Sequence, residues 1–359
     1  MADSKAKRLF RSYIYVGSLV IIPALATGYA LYQAYIGNVG VWDIVQCAVG
    51  VVLIMLGATV GYHRMLVHRS FEAHPVVRAF FLMLGSMAMQ GPAITWASIH
   101  RKHHAFSDDE GDPHSPNIDT FVHSHFEWMM EMSFDDVYAI RDKYGKPFEK
   151  DSMAVFFDKT FYLWVAVGLL IPFALGGWNG LLWGGLVRTF LTSHITWSVN
   201  SWCHVAGNRM FNTKDQSRNN WIVAILAMGE GWHNNHHAFP SSAFHGMKWW
   251  QVDLSAYIIR GLEKVRLAHN VVRIPQERIE QQLSRTSATL KHVQENVQHK
   301  VQEATQAAHD AAEVFKARIE EQKEKLSEQA VHVKETALRE ADELAAKVES
   351  AISPKEKLA

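Results

Sequence analysis

Three histidine clusters are the chemically distinctive feature of this 359-residue chain. They are His63-Arg-Met-Leu-Val-His68, His100-Arg-Lys-His-His104 and His233-Asn-Asn-His-His237. Asn200 and His204 form a further pair, four residues apart. Residues three and four apart share one face of a helix, so the polar side chains within the last three groups can point the same way. Neutral imidazole is a good ligand for iron, zinc, copper and nickel, and these spacings therefore predict metal binding.

The number of histidines indicates two metal ions rather than one. The clusters and His204 supply nine imidazoles. A structural zinc site needs four ligands, whereas this set suits two ions with about five ligands each. Cys47 and Cys203 are the only cysteines, which excludes a disulfide framework, a four-cysteine zinc site and an iron–sulfur cluster held within the chain.

Four apolar runs can hold these clusters against a membrane. Each has roughly the 20 residues that a helix needs to cross a bilayer, and glycine-containing turns at 37–40 and 176–180 join the runs in pairs. The predicted fold is an all-α membrane protein with two helical hairpins and a cytosolic helical cap that carries the histidines. The four spans are predicted at about residues 13–36, 41–62, 161–178 and 180–200.

The charges next to the first span predict the orientation. Lys5, Lys7, Arg8 and Arg11 precede this span, and such positive residues mark the cytoplasmic side of a membrane. Each hairpin returns the chain to the side that it left, so both termini and all three clusters are expected on the cytoplasmic side. Segment 1–12 is then a cytoplasmic N-terminus.

One further apolar run is not accounted for by this four-span arrangement. Residues 79–99 have the composition of a fifth span, but a single crossing there would put His68 and His100 on opposite sides of the membrane. The break at Gln90-Gly91-Pro92 predicts a half-buried or re-entrant helix instead.

Two charged residues lie inside the predicted spans. Asp43 and Arg188 would both occupy the half of the membrane farther from the histidines, and a charge in that environment is costly. Either the two residues form an ion pair, or each extends its charged group to the membrane surface.

The tail, residues 276–359, differs from the rest of the chain. Apolar residues recur every 11 positions from Val293 to Val348, and again from Val297 to Ile352. This period is typical of a long, slightly right-handed helical coil. The stripe is thin and rich in alanine and the charge balance is acidic, so we favour self-association over a helix on the lipid surface or a solvated helix.

A metal transporter is the alternative from a different functional class. Transporters usually place their ligands near the middle of the bilayer, on broken helices with acidic partners, whereas these clusters are predicted at the cytoplasmic mouth. The formal net charge of zero argues against nucleic-acid binding. A scaffold with an inactive membrane domain is disfavoured because all three clusters are complete.

The order and spacing of the clusters resemble those of the membrane-bound fatty acyl desaturases, and within them the Δ9, stearoyl-type group. The resemblance covers about residues 12–272, and the tail lies outside it. Bacterial members are the most similar around the third cluster and at Trp249-Trp-Gln-Val-Asp253, which implies a bacterial cytoplasmic membrane as the location. The segments that carry the resemblance are residues 61–71, 96–104, 112–114, 200–204 and 229–239.

The resemblance implies a di-iron centre. Its direct ligands would be His63, His68, His100, His103, His104, His204, His233, His236 and His237, with Asn200 acting through a water. Carboxylates that orient the ligand imidazoles are expected among Glu230, Asp108, Asp109, Glu110 and Asp112. Trp96 is a candidate for the lining of the acyl tunnel.

The implied activity is that of an oxidoreductase, an acyl desaturase that uses two Fe²⁺ ions and O₂. It would introduce a cis double bond at position 9 of a saturated long-chain acyl-CoA. The sequence contains no GxGxxG loop, cysteine cluster or haem signature, so electrons are expected from ferredoxin, rubredoxin or cytochrome b5. A related di-iron membrane hydroxylase is the alternative chemistry.

The form of the substrate is the least determined point. Ser98 and Ile99 stand where the animal acyl-CoA enzymes have an Arg-Asp pair. Acyl-CoA is the expectation from the family, and an acyl chain of a membrane glycerolipid is the second choice.

Overall fold

The computed structural model describes residues 5–352, with side chains for residue 17 and residues 19–350. The ends of the predicted N-terminal segment and of the tail, residues 1–4 and 353–359, lie outside the described residues. The chain divides into one compact unit up to Thr286 and a second from Ser287 onward.

The described part of the chain is mostly helical. Up to residue 159 the elements are α1 (Lys5–Tyr35), α2 (Val41–Leu56), the π-helix π1 (Gly57–Val67), β1 (Glu72–Ala73), α3 (Pro75–Met87), α4 (Ala93–Phe106), π2 (His123–Glu127), α5 (Trp128–Glu131), α6 (Phe134–Tyr144), α7 (Lys146–Glu149) and α8 (Ser152–Lys159). The remainder are α9 (Phe161–Gly180), π3 (Leu181–Val187), α10 (Arg188–Val205), α11 (Trp221–Leu226), α12 (His233–Ala238), α13 (Leu254–Lys264), β2 (Ala268–His269) and α14 (Gln276–Ile352). Strands β1 and β2 pair antiparallel, with Glu72 opposite His269.

Two apolar helical stretches are long enough to cross a membrane. They are Val41–Val67, which combines α2 and π1, and Phe161–Val205, which runs from α9 through α10. Leu19–Tyr35 and Pro75–Met87 are shorter apolar helices. The expectation of a helical protein with membrane-spanning segments and a long C-terminal helix therefore agrees with the structure at this level.

The stretch Phe161–Val205 contains a sharp bend. Gly176 and Gly177 depart from helical geometry, and Gly177 has φ +58° and ψ −141°, a conformation that glycine adopts far more readily than other residues. Beyond the bend, the carbonyl of Pro172 fills the space into which a side chain at Gly180 would project. The part of α9 after the bend thus packs directly on the part before it.

The apolar run at 79–99 is interrupted where the sequence predicts. Helix α3 ends at Met87, and Met89 and Gly91 both have positive φ, +60° and +105°. Helix α4 begins after Pro92 and carries the second histidine cluster. The interruption separates α3 from α4, and α4 packs against π1.

The largest apolar core fixes the positions of π1 and α4. Val60 of π1, Phe81 of α3, Ile94 of α4, Phe157 of α8 and Ile259 of α13 belong to one buried cluster. Full burial of each such side chain contributes about 1.5–3 kcal/mol. The two helices that carry the first and second histidine clusters are therefore held by packing.

Candidate metal centre

The π-helix π1 brings the first two histidines together. His63 and His68 are five residues apart, a spacing that puts them on different faces of an α-helix. In a π-helix the hydrogen bonds join residues five apart, and the His68 N–H donates to the His63 carbonyl at 3.1 Å. The Nε2 atoms of the two imidazoles consequently lie 3.1 Å from each other.

The nine histidines form two adjacent groups. In each group the ligand atoms lie within 4.8 Å of one another. The groups combine residues of π1, α4, α10 and α12, so every predicted cluster contributes. The first group is His63, His68, His100, His104 and His236, and the second is His103, His204, His233 and His237.

The Nε2 atoms of the first group form a closed circuit. Successive atoms lie 3.0–3.2 Å apart along His63, His68, His100, His104, His236 and back to His63. In a hydrogen bond one nitrogen donates and the other accepts, and each Nε2 does one or the other. Five atoms cannot alternate in this way around a circuit. A cation that accepts all five lone pairs satisfies every nitrogen, so this donor set fits a metal ion.

The second group has the same character. The Nε2 atoms of His204 and His233 lie 3.1 Å apart. The Nε2 atoms of His103 and His237 are buried and have no hydrogen-bond partner among the described residues. Buried nitrogens without partners are rare in proteins, and a second cation would satisfy them.

Four of these imidazoles have a carboxylate beside Nδ1, the ring nitrogen opposite the clustered Nε2. Glu230 Oε2 lies 2.7 Å from Nδ1 of His63, and Asp108 Oδ2 lies 2.7 Å from Nδ1 of His204. Such partners fix the ring orientation and leave Nε2 for a metal. The other two contacts join Asp112 to Nδ1 of His103 at 3.0 Å and Asp215 to Nδ1 of His237 at 2.8 Å.

The five carboxylates expected from the sequence divide into two kinds. Glu230, Asp108 and Asp112 contact ligand histidines, whereas Asp109 and Glu110 are exposed and make no such contact within the described residues. Asp215 was not among the expected residues. It lies in an irregular segment without periodicity, so no sequence signal distinguishes it from a surface carboxylate.

Burial keeps most of the ligand imidazoles neutral. It lowers the pKa of His68, His100 and His104 well below its ordinary value, and neighbouring histidines lower this pKa further. The pKa values of His233 and His236 fall for the same reasons. The neutral form offers the lone pair that a metal requires.

The carboxylates stay ionised although they are buried. Burial raises the pKa of Asp108 and Asp215 and is the largest single effect, but the hydrogen bonds and charge attraction of His204 and His237, together with hydrogen bonds from nearby groups, hold each pKa below its ordinary value. For Asp112, burial is likewise outweighed only by the combined attraction of neighbouring imidazoles and a backbone hydrogen bond. An ionised carboxylate keeps the imidazole proton on Nδ1.

Arg64 connects one of these carboxylates, Glu230, to the interior of the protein. Its side chain is completely buried, its Nε donates to Glu230 Oε1 at 3.1 Å, and its Nη1 donates to Asp253 Oδ2 at 3.0 Å. Asp253 in turn caps the start of α13 by accepting from the Ala256 N–H. In the sequence, Arg64 is a cation between the first two histidines, and no pattern around it predicts its role.

The two asparagines of the third cluster hold it in place through hydrogen bonds to neighbouring backbone groups. Asn234 Oδ1 accepts from the Met210 and Phe211 N–H groups at 2.8 and 2.7 Å. Asn235 Nδ2 donates to the His245 carbonyl at 2.8 Å. Helix α12 is only six residues long, and these bonds hold it against the neighbouring loops.

Asn200 and Trp96 lie beside the two histidine groups and line the same small cavity. Asn200 lines a small cavity together with His100 and His233, and it belongs to neither histidine group. The Trp96 ring is stacked on that of His100, with centroids 5.1 Å apart and an interplanar angle of 10°.

Comparison with known proteins gives a consistent result. The profile of a family described as fatty acid desaturase matches residues 39–271. The chain is 41% identical over 253 residues to the chloroplastic palmitoyl-monogalactosyldiacylglycerol delta-7 desaturase of Arabidopsis thaliana, covering 68% of this chain and 66% of that protein. It is 43% identical over 228 residues to the acyl-CoA C20 Delta5-desaturase of Anemone leveillei, covering 62% and 71%. It is 41% identical over 231 residues to the sn-1 stearoyl-lipid 9-desaturase of Anabaena variabilis, covering 62% and 84%.

Proposed function

The chain belongs to the fatty acid desaturase family, and on that premise we propose that it introduces a cis double bond at position 9 of a saturated long-chain acyl group. The observation that carries the proposal is the pair of adjacent histidine groups. The relatives are named for positions 5, 7 and 9, and position 9 follows from the local sequence resemblance.

Two Fe²⁺ ions are the proposed metals. The first histidine group would hold one ion, and the second group, with Asn200 acting through a water, would hold the other. When bound, the irons supply the activation of O₂ that an unactivated C–H bond requires. Overall, the acyl CH₂–CH₂ unit loses two hydrogens, and O₂ takes these, two electrons and two protons to give two waters. The protein positions the chain and excludes bulk water.

Three neighbouring cavities that share lining residues support an acyl path past the histidines. The first, about 40 Å³, is lined by Met55, Val199 and Trp96, and the second, about 60 Å³, shares Trp96 with it. The third, about 120 Å³, shares Gln90 and further residues with the second. The distance from head group to metals along such an apolar path would set the double-bond position.

The substrate is proposed to be acyl-CoA or an acyl glycerolipid. One relative is named as an acyl-CoA desaturase and another as a stearoyl-lipid desaturase. At the positions of the animal Arg-Asp pair, Ser98 donates to the Ile94 carbonyl at 2.6 Å and Ile99 lines two of the cavities. Neither side chain offers a charge to CoA.

Fatty acid analysis tests the proposed activity. The chain would be expressed in cells that lack monounsaturated acyl groups, and the double-bond position would be determined by gas chromatography and mass spectrometry. We expect a cis-9 monoene, absent from cells that express the His236→Ala variant. Isolated membranes given labelled stearoyl-CoA or labelled stearoyl phospholipid distinguish the two substrate forms. Hydroxy acids without a monoene would overturn the proposal.

We also propose a four-span topology, with both termini in the cytoplasm of a bacterial cell. The spans are those predicted at about 13–36, 41–62, 161–178 and 180–200, within a desaturase domain at 13–272. The bend at Gly177 and the turn at Gly37, with φ +80°, support two hairpins. A buried cluster of Ala30, Cys47, Trp183 and Val187 supports packing between them.

The outer carboxylates give a first prediction. Replacing Asp215 by asparagine removes the negative charge beside Nδ1 of His237, and loss of such partners typically lowers metal affinity about 10–100-fold. We expect a decrease of that size in iron affinity, measured by chelator competition. Asp109→Asn is the matched control because Asp109 is exposed and contacts no ligand histidine. Equal affinities of the two variants would contradict the role of Asp215.

The electron donor is proposed to dock at a polar depression of about 720 Å³. His68 and His104 of the first group and His237 of the second line this depression. Arg69 and Arg101 also line it, and neither forms an ion pair with a described residue, whereas Asp215, the carboxylate among the described lining residues, contacts His237. An acidic one-electron carrier such as ferredoxin, rubredoxin or cytochrome b5 fits this charge.

Charge reversal tests the docking site. We expect the Arg69→Glu/Arg101→Glu variant to raise the KM for reduced ferredoxin or cytochrome b5 at least tenfold at low salt. Single-turnover product formation after reduction with dithionite is expected to stay unchanged. Arg260→Glu/Lys264→Glu on α13 provides the same charge change at residues that do not line the depression. Similar KM values for both double variants would refute the assignment.

The tail is proposed to mediate self-association. From Ser287 onward the described side chains are exposed, including Val293 and Val297 of the two apolar files. Removing residues 287–359 is expected to reduce the oligomeric state and leave acyl desaturation intact. The cut preserves Thr286, whose Oγ1 accepts from the Asn212 N–H at 2.9 Å. Light scattering and product analysis of purified protein measure both outcomes, and an unchanged oligomer would exclude this role.

A further inference from the structure

Arg188 is a buried cation without a counter-ion among the described side chains. It begins α10 and is 4% exposed. Its Nη2 contacts Thr189 Oγ1 at 3.2 Å, while its Nε has no hydrogen-bond partner in the described part of the chain. No carboxylate of a described side chain lies within 4.0 Å of the guanidinium. A buried charge without a partner is strongly destabilising, so this arginine requires an anion.

Asp43 does not supply that anion. Its carboxylate accepts from the Gly40 N–H at 2.9 Å at the start of α2, and from Asn179 Nδ2 at 3.4 Å. The ion pair with Arg188 that the sequence left open is therefore not formed. Asp43 instead stabilises a helix N-terminus, as acidic residues there commonly do.

A large apolar cavity opens beside Arg188. Its volume is about 350 Å³, within the range of small-molecule sites. Val49 and Leu53 of α2, Met83 of α3 and Ile171 of α9 are among its apolar walls. Among the described residues, Arg188 is the one charged residue that lines it. Such a site combines an apolar volume for a chain with one fixed positive charge for a head group.

The neighbouring helix leaves room for the arginine. A Cβ atom at Gly50 would lie 2.9 Å from Cδ of Arg188, closer than real side chains approach. The arginine therefore crosses α2 at the position where α2 has no side chain. The guanidinium is held in place by this packing.

The cavity is separate from the metal centre. Arg188 precedes His204 by 16 residues on α10, which corresponds to about 24 Å along the helix. The cavity shares no lining residue with the three cavities of the proposed acyl path. A ligand here would thus be additional to the acyl substrate.

We propose that this cavity binds one anionic phospholipid, with its phosphate on Arg188 and one acyl chain in the cavity. Guanidinium and phosphate form strong, charge-assisted hydrogen bonds. A net-anionic head group is favoured because the choline of phosphatidylcholine would bring a second positive charge close to Arg188. Trp42, Val49 and Ile171 line the cavity and are each about half exposed, at 54%, 52% and 49%. They lie on the two stretches long enough to span a membrane, so the cavity is open to bilayer lipid.

Lipid retention by the purified full-length chain tests the site. The protein would be reconstituted in phosphatidylcholine nanodiscs with increasing phosphatidylglycerol, and bound lipid would be counted by native mass spectrometry. We expect one tightly held phosphatidylglycerol per chain, and a roughly tenfold or larger loss of affinity in Arg188→Met. Thr192→Val, buried on the same helix and outside the cavity, is expected to bind as wild type does.

Two further variants distinguish loss of the phosphate contact from misfolding of Arg188→Met. Arg188→Lys keeps a charge that binds phosphate and is expected to retain the lipid, whereas Gly50→Leu displaces the arginine and is expected to lose it. Equal binding of phosphatidylglycerol by wild type and Gly50→Leu would overturn the proposal. Equal affinities for phosphatidylglycerol and phosphatidylcholine, or recovery of free fatty acid in place of phospholipid, would do the same.

Discussion

We expect the His204→Ala variant to lose one of two bound irons and nearly all acyl desaturation. His204 is one of four imidazoles in the second histidine group, and its removal leaves three. Loss of an outer-shell partner already costs about 10–100-fold in affinity or activity, so removal of a direct ligand is expected to cost more than 100-fold. Elemental analysis and product formation by the purified protein measure the two effects.

A histidine on the same helix provides the control. His194 belongs to neither histidine group, and its Nδ1 lies 3.0 Å from Nε2 of His125. The His194→Ala variant should keep two irons per chain and most of its activity. Retention of both irons by His204→Ala would show that this histidine does not bind metal.

The largest effect on stability is expected at Arg64. Replacing it by methionine keeps much of the side-chain volume but leaves Glu230 and Asp253 as buried carboxylates without their cation. Breaking a buried ion pair in this way costs about 3–5 kcal/mol. For a protein of this size such a loss corresponds to a decrease in melting temperature on the order of 10 °C.

Thermal unfolding in detergent measures this effect. Arg101→Met removes an exposed cation and is expected to change the melting temperature little. Adding Glu230→Gln to Arg64→Met removes one of the two uncompensated charges and should restore part of the loss. A melting temperature of Arg64→Met close to that of wild type would contradict the proposed network.

The sequence predicted both the break between two helices at Gly91 and the desaturase family, because both depend on local patterns. Glycine followed by proline strongly disfavours continuation of a helix, and the spacing of the histidine clusters is specific. The proximity of His63 and His68 was not derivable in the same way. It depends on a π-helical turn, which tertiary packing imposes and which no propensity scale encodes.

The outer carboxylates show a second limit of sequence reasoning. Asp108, Asp109, Glu110 and Asp112 are near neighbours in the chain, and a shift of one residue decides whether a carboxylate faces a histidine or solvent. Asp215 reaches His237 from an irregular loop, whose path depends on the whole fold. Arg188 lies within a predicted span, but its position there did not decide between an ion pair with Asp43 and extension of its charge to the membrane surface.

The membership of the two histidine groups constrains when the protein can acquire its metals during synthesis. The first group needs His236, and the second needs His233 and His237, whereas both also use residues before position 105. Neither group is therefore complete until the third cluster has been synthesised. A metal ion can find the full set of imidazoles of either group only after that point.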